Sequence, residues 1–178
     1  MKLCRHCGKE FAPARPLQAV CSPRCARAAT VAAKKADKAS IKVRREKLKT
    51  IAERIAEAQK EFNAYIRLRD KMAGFACISS GAALDWSGNA VDAGHYRSTG
   101  AASHLRFNED NCHAQTKQEN RYLAGNAADY RIGLILRIGL ARVENLESDN
   151  EPHKWSHAEL IEIKAKYRAK RKALEGNL

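Results

Sequence analysis

Apolar positions in this chain recur mostly at helical spacing, and they predict a mostly helical α+β protein. From Ala26 to Met72 there is no Gly and no Pro while Ala, Lys, Arg, Glu and Leu dominate, which predicts one long helix or two. The first part, through Lys49, has little apolar pattern and reads as a solvated basic arm. In the later part Leu48, Ile51, Ile55, Ala58, Phe62 and Tyr65 alternate in steps of three and four, a seam that needs a partner. Either it folds onto the rest of the chain or it pairs with a second copy; the expectation taken is a homodimer through the helix from Leu48 to Met72.

Gly74 ends that helical run, and the pattern then changes. Ser87-Gly88-Asn89 is a turn signal between Leu84-Asp85-Trp86 and Val91 to Tyr96, predicting a β-hairpin with His95 on its second arm. Strand alternation puts Asp92 and Gly94 on one face and His95 on the other, so Asp92 and His95 converge only if the strand twists or bulges. Asp110 or Asn111 can cap a helix ending at Gly125, with His113, Lys117 and Asn120 along one face. Beyond Asn126, Tyr130, Leu134, Ile138 and Leu146 continue a helical pattern interrupted by Gly133 and Gly139, where another backbone approaches closely. Trp155 to Leu160 reads as a capped helix start, Ser156 at the N-cap and Glu159 completing the capping box. The last helix turns Leu160, Ile163 and Tyr167 inward and leaves a basic tail from Lys164 to Lys172.

Composition narrows the partners. Only 6% of the 178 residues are aromatic, so the core is small and needs a metal staple. Lys and Arg number 33 against 20 Asp and Glu, a net +13 that calls for a polyanion. Nucleic acid is favoured over membrane because there is no long apolar run or signal peptide, and the arm before Lys49 would track a DNA backbone. The same absence, with cysteines in knuckle spacing, points to a reducing cytoplasm.

Two cysteine pairs lie near the start, Cys4 with Cys7 and Cys21 with Cys25, separated by a loop holding Pro13 and Pro16. Tight-turn thiolate pairs suit tetrahedral Zn²⁺, and a structural zinc is expected in preference to two disulfides or free thiols. Lys2, Arg5, Lys9, Arg15 and Arg24 surround the pairs, for contact with phosphate or simply as the surface of a structural knuckle.

The densest chemistry lies between Asp92 and Asn126. Asp92-Ala93-Gly94-His95-Tyr96-Arg97-Ser98, then Asn108 to His113, then Asn120, gather a carboxylate, two imidazoles and several amides. That inventory can hold a hard cation and deprotonate a water, which suggests a one-metal nuclease site using Mg²⁺ or Mn²⁺. Arg97, Arg106, Lys117 and Arg121 are candidates for gripping phosphate, the alternative being an ordinary basic surface.

A hairpin with a His, followed by a helix with a polar ligand, resembles the HNH or ββα-metal nuclease site. The runs Asp92 to Thr99, Leu105 to Asn111, His113 to Gln115 and Asn120 to Asn126 are similar to the phage lambda NinG family, also called Rap, and the resemblance covers most of the chain. It implies a phage recombination endonuclease that cuts branched DNA such as Holliday junctions in the cytoplasm of a bacterial host. In that family His95 would be the general base, Asn111 the brace of the loop and Asn120 a ligand of the catalytic cation; Asp92 joins the metal set and His113 the catalytic set. The chain departs from the family where two Cys-x-x-Cys knuckles flank the core: the first reads Cys77-Ile78-Ser79-Ser80, and Thr116 and Glu119 replace the second pair. Cys77 with Glu119 and Cys112 could hold a zinc in improvised geometry, but hydrogen bonds and packing are expected to take its place, leaving Cys77 and Cys112 as small buried thiols.

The expected organisation is a zinc knuckle over 1–25, a long basic helix or helices over 26–73, an HNH-like ββα-metal core over 74–126, and C-terminal helices with a basic tail over 127–178. The alternative function is a non-catalytic, zinc-containing accessory protein that binds branched DNA.

Overall fold

The computed structural model describes residues 1–176, which divide into two compact units, Met1–Lys49 and Thr50 onward. In the first unit β1 (Lys2–Leu3) pairs antiparallel with β2 (Glu10–Phe11), and α1 follows over Pro23–Lys47. Pro23 opens α1, where its missing N–H costs nothing, and the Ser22 hydroxyl caps it by accepting from the Cys25 amide at 3.2 Å. No residue of α1 is buried.

The run from Ala26 to Met72 is therefore two helices. α2 spans Ile51–Met72, and Thr50 with Glu53 forms a reciprocal capping box that starts it afresh. The expected boundary at residue 25 also moves, because Cys25 lies in the first turn of α1 and the units divide after Lys49.

In the second unit α2 lays Ala58, Phe62, Tyr65 and Ile66 against Leu160 and Tyr167 of α5 (His157–Glu175), together with Ala93, Phe107 and Cys112. The Phe62 ring meets the Tyr167 and Phe107 rings edge-on at 4.8 and 5.8 Å. Each fully buried Phe, Ile or Leu contributes about 1.5–3 kcal/mol. The apolar seam from Ile51 to Tyr65 thus packs on α5 inside the same chain, one of the two outcomes the pattern allowed. Ion pairs flank this packing: Lys164 with Glu57, Arg171 with Glu61 and Lys170 with Glu109. Half of the anticipated basic tail is thereby tied down.

Against α2 packs a two-stranded antiparallel ribbon of β3 (Val91–His95) and β4 (Cys112–Thr116), in one-to-one register from Val91 opposite Thr116 to His95 opposite Cys112. This is a different hairpin from the expected one. The chain does turn at Trp86–Asn89, but Leu84 to Trp86 forms no strand, and β3 pairs across the longer excursion from Tyr96 to Asn111. The expected helix from Asp110 to Gly125 is absent too; beyond β4 there is a single π-type turn over Gln118–Tyr122. Tertiary pairing outweighs local helical spacing here. As a strand, the segment gains the β3 ladder on one edge, while on the other Ala114 accepts from the Ile78 amide at 3.1 Å and donates to the Asp70 carboxylate at 2.6 Å.

A second apolar cluster joins Tyr130 and Leu134 of α3 (Ala127–Ile138) with Val143 and Leu146 of α4 (Leu140–Ser148), Ile78, Ala102 and Leu105. The close approach expected at Gly133 is present: a Cβ there would lie 1.8 Å from the Ile78 carbonyl oxygen. Gly139 serves differently, adopting φ +87 between α3 and α4 with nothing near its missing side chain.

Candidate functional site

In the first unit the thiols of Cys4, Cys7, Cys21 and Cys25 all lie within 4.8 Å of one another, with Cys7 to Cys21 at 3.7 Å and Cys21 to Cys25 at 3.5 Å. Those separations are far too long for S–S bonds of about 2.05 Å. They match the roughly 3.8 Å edge of a tetrahedron whose metal–sulfur bonds are about 2.3 Å. Local backbone prepares the site: Gly8, at φ +72, turns the chain so that its amide donates to the Cys4 carbonyl at 2.9 Å. The Cys21 amide donates to Cys4 Sγ at 3.4 Å. Donated hydrogen bonds, chiefly from the Cys7 backbone, hold the Cys4 thiol near pKa 6, favouring the thiolate a metal needs. These four residues fit a metal such as zinc.

The same turn recurs in the second unit. Gly81, at φ +70, donates to the Cys77 carbonyl at 2.9 Å, Cys77 donates to the Ala82 carbonyl at 2.9 Å, and the Thr116 amide meets Cys77 Sγ at 3.4 Å. Around Cys4 the equivalent bonds run from Gly8 to Cys4, from Cys4 to Lys9 at 2.9 Å, and from Cys21 to Cys4 Sγ. The turn around Cys4 is thus repeated around a single thiol, Cys77. The Cys77 thiol donates to Glu119 Oε2 at 2.6 Å, and Thr116 Oγ1 donates to the same oxygen at 3.0 Å. A hydrogen-bonded cluster of Cys77, Thr116 and Glu119 stands at this turn, and Cys77 and Cys112 are both buried free thiols.

The residues expected to form a catalytic centre do not all meet. Asp92 and Asn120 do: Asn120 Nδ2 donates to Asp92 Oδ2 at 3.1 Å, although Arg121 Nε already occupies that oxygen at 2.8 Å. His95 lies elsewhere. β3 has no bulge, so residues three apart face opposite sides, and His95 shares the side of Ala93 and Cys112, 6.0 Å from the Phe62 ring. Its Nε2 is 3.0 Å from the Arg106 carbonyl, an acceptor only, so Nε2 carries the proton and Nδ1 keeps the lone pair. Nδ1 faces Cys112 Sγ at 3.8 Å. Burial pushes the His95 pKa down. The single ion expected between His95 and the Asp92–Asn120 pair is therefore a correction: strand alternation separates them.

His113 is on β4 and not on a helical face with Lys117 and Asn120. It is buried, Nδ1 3.0 Å from an Arg69 guanidinium nitrogen and Nε2 3.2 Å from the Asp110 carbonyl. Desolvation first, then the Arg69 charge, lowers its pKa to about 3. Asn111 is wholly buried and bridges the excursion between the strands, Oδ1 accepting from the Arg97 amide at 2.8 Å and Nδ2 donating to the Arg97 and Leu105 carbonyls.

The phosphate-gripping set also changes. Arg97 spends its guanidinium on the end of α4, donating to the Leu146 and Asp149 carbonyls at 2.7 and 2.5 Å and to Asn150 Oδ1 at 2.7 Å. It braces the end of α4 from outside the helix, donating to carbonyls of the last turn. Arg106 turns toward Gln59 and the Thr99 carbonyl, with its Nε buried and unsatisfied. Arg121 is paired with Asp92, and the half-buried Lys117 follows β4 with its amide on the Ala90 carbonyl.

Sequence reasoning missed a fully buried carboxylate. Asp70 is fully buried, accepting from Ala114 and from Arg69 Nε at 2.7 Å, with Arg137 NH1 at 3.9 Å and His113 Nδ1 at 3.8 Å. A signal was present: Asp70 continues the inward stripe Ala58, Phe62, Ile66 at steps of four, an apolar face where an unpaired carboxylate would be costly. No described helix is long and apolar enough to cross a membrane.

The family model described as Bacteriophage Lambda NinG protein matches residues 1–177. The chain is 38% identical to "Protein ninG" of Salmonella phage P22, covering 94% of this chain and 90% of that protein. It is 37% identical to "Protein ninG" of Escherichia phage lambda, over 96% and 91%, and 42% identical to that of Escherichia phage 933W, over 79% and 67%. No solved structure matches. With the paired-cysteine turn and the ribbon bearing Asp92, His95 and Asn111 all inside the matched span, the chain belongs to the NinG family.

Proposed function

We infer that this protein is a structure-specific DNA endonuclease of phage recombination, cutting branched DNA such as Holliday junctions by phosphodiester hydrolysis with His95 as general base. One observation carries the reading: the His95 imidazole is bonded through Nε2–H to a backbone carbonyl, and burial disfavours its charged form. That leaves a neutral ring at pH 7 whose Nδ1 lone pair meets only the weak Cys112 thiol donor at 3.8 Å, the protonation state a base requires. In the reaction Nδ1 takes a proton from water as its oxygen attacks phosphorus, one P–O ester bond breaks, and the departing alkoxide is protonated from solvent.

A divalent ion such as Mg²⁺ or Mn²⁺ would supply charge neutralisation at the phosphate. Asp92 and Asn120 offer hard oxygens, yet they lie across the ribbon from His95 and Arg121 already balances Asp92. The expected shared ion does not fit these residues, and no step here passes through it.

That misfit favours a second reading, a zinc-containing accessory protein that binds branched DNA without cutting it. A single experiment separates the two: the zinc-loaded full chain with an end-labelled four-way junction and Mg²⁺ or Mn²⁺. Cleavage is expected, falling by at least about 100-fold in His95→Gln while junction binding persists. Tight binding with no cutting by folded wild-type protein, at any concentration, would sink the endonuclease reading and leave the accessory one.

A further inference from the structure

The chain's positive charge is concentrated in one place. Met1–Lys49 carries fourteen Lys and Arg against three Asp and Glu, a net +11, whereas the remainder carries nineteen against seventeen, a net +2. Much of that remainder is also paired off, as in Arg121 with Asp92, Arg131 with Glu147, Lys164 with Glu57 and Lys170 with Glu109.

Within the first unit the charge has a direction. At about 100° per residue, Arg24, Arg27, Lys34, Lys35, Lys38, Lys42 and Arg45 of α1 fall in one stripe about 100° wide. All seven are exposed. Asp37 falls outside the stripe, and Glu46 is held by Lys49 at 2.5 Å. The opposite side carries Ala29, Ala32, Ala36 and Val43, with the remaining two of the helix's nine cations, Arg44 and Lys47, near its end, and the only uncharged polar side chains of α1 are Thr30 and Ser40. From Arg24 to Arg45 the stripe is about 32 Å long, close to the roughly 34 Å of one duplex turn. The stripe holds seven cations and the exposed Val31, with no Asn or Gln in α1 to pair with adenine, and exposed Lys and Arg side chains spread over about six turns suit successive phosphates.

We propose that the α1 stripe is the protein's main nucleic-acid anchor, lying along the sugar–phosphate backbone of a DNA duplex without base readout. The near-neutral second unit is thereby held on an arm of a branched substrate. The identity of the polyanion rests on the DNA-processing reading above.

The test neutralises charge in the zinc-loaded full chain. Lys34, Lys35, Lys38 and Lys42 are changed together to Gln, which preserves helix propensity. A control changes four exposed cations of the second unit, Lys154, Lys166, Arg168 and Lys172, to Gln. Binding to a labelled blunt duplex and to a four-way junction is followed by anisotropy across a salt series without divalent ions. Each lost phosphate contact should flatten the log–log salt slope by about 0.9, so the α1 variant should lose about 3.6 from its slope and about 100-fold or more in affinity at 0.1 M salt. The control should stay within a few-fold of wild type. Equal losses in both variants, or an unchanged slope in the α1 variant, would overturn the proposal. So would stronger binding of wild type to phosphatidylglycerol vesicles than to duplex. If wild type binds through the stripe but never cuts, the endonuclease reading fails alone; if the α1 variant binds as wild type and cuts, the anchor fails alone.

Discussion

Gly133→Ala tests the packing of α3 on the turn that carries Cys77, and two effects of opposite sign compete there. In a helix interior Ala is favoured over Gly by about 1 kcal/mol, so on propensity alone the variant should be more stable. The structure reverses this. A Cβ at Gly133 would sit 1.8 Å from the Ile78 carbonyl oxygen and 3.0 Å from its carbon, inside any allowed contact. Ile78 has little room to retreat, because its amide is bonded to the Ala114 carbonyl at 3.1 Å and its side chain is buried among Tyr130 and Leu134. α3 must then move, and overpacking of this kind costs roughly 1–3 kcal/mol, at the upper end where backbone is the obstacle. The expected net loss is about 2 kcal/mol after the propensity gain, seen as a Tm lower by roughly 5–10 °C. Thermal unfolding followed by circular dichroism measures it, with Gly125→Ala as a comparison: φ there is +82 and nothing lies nearby, so only backbone strain of about 1 kcal/mol applies. A Gly133→Ala protein as stable as wild type would refute the close approach.

Three further outcomes follow from the same geometry. Replacing Ser80, Thr116 and Glu119 together with Cys should let the Cys77 turn bind a second equivalent of Co²⁺ with thiolate charge-transfer absorption, where wild type binds one; a single equivalent in both would refute the likeness of the two turns. His113, lowered to about pKa 3 by burial and by Arg69, is neutral when folded but protonates near 6.5 when unfolded. The unfolded chain then holds more protons between those values, so this residue's contribution is full above pH 6.5 and is lost as pH falls toward 3. Urea titrations from pH 7 to 4 should show a shallower decline in His113→Asn than in wild type, and parallel declines would count against it. Arg97→Ala should lose about 2 kcal/mol because the Leu146 and Asp149 carbonyls and Asn150 Oδ1 lose a charged donor, while the affinity for duplex DNA stays within about two-fold. A large loss of binding without loss of stability would return Arg97 to the phosphate-contacting set.

Patterns that depend on neighbours along the chain were legible in the sequence. The paired cysteines, the capping box at Ser156 and Glu159, the inward face of the last helix and the tight spot at Gly133 each rest on local spacing, and the structure holds all of them. The substituted knuckle was legible as well, since Cys77 and Glu119 come together through a turn whose shape the sequence retains. The resemblance to the NinG family rested on ordered motifs of the same kind.

What lay outside the sequence was decided by which surfaces found each other. The segment from Cys112 to Thr116 has helical spacing, yet β3 on one edge and Asp70 with Ile78 on the other make it a strand. The seam of α2 could have met a second copy; α5 supplies the complementary apolar face and the ion pairs from within the chain. Most consequential is the bulge that β3 lacks: alternation already put Asp92 and His95 on opposite faces, and the regular pairing with β4 keeps them there. Local pattern fixes which residues share a face of an element, because that depends only on rise and rotation along the backbone. Which faces close on one another depends on long-range burial and pairing energies, and those exist only once the chain has folded.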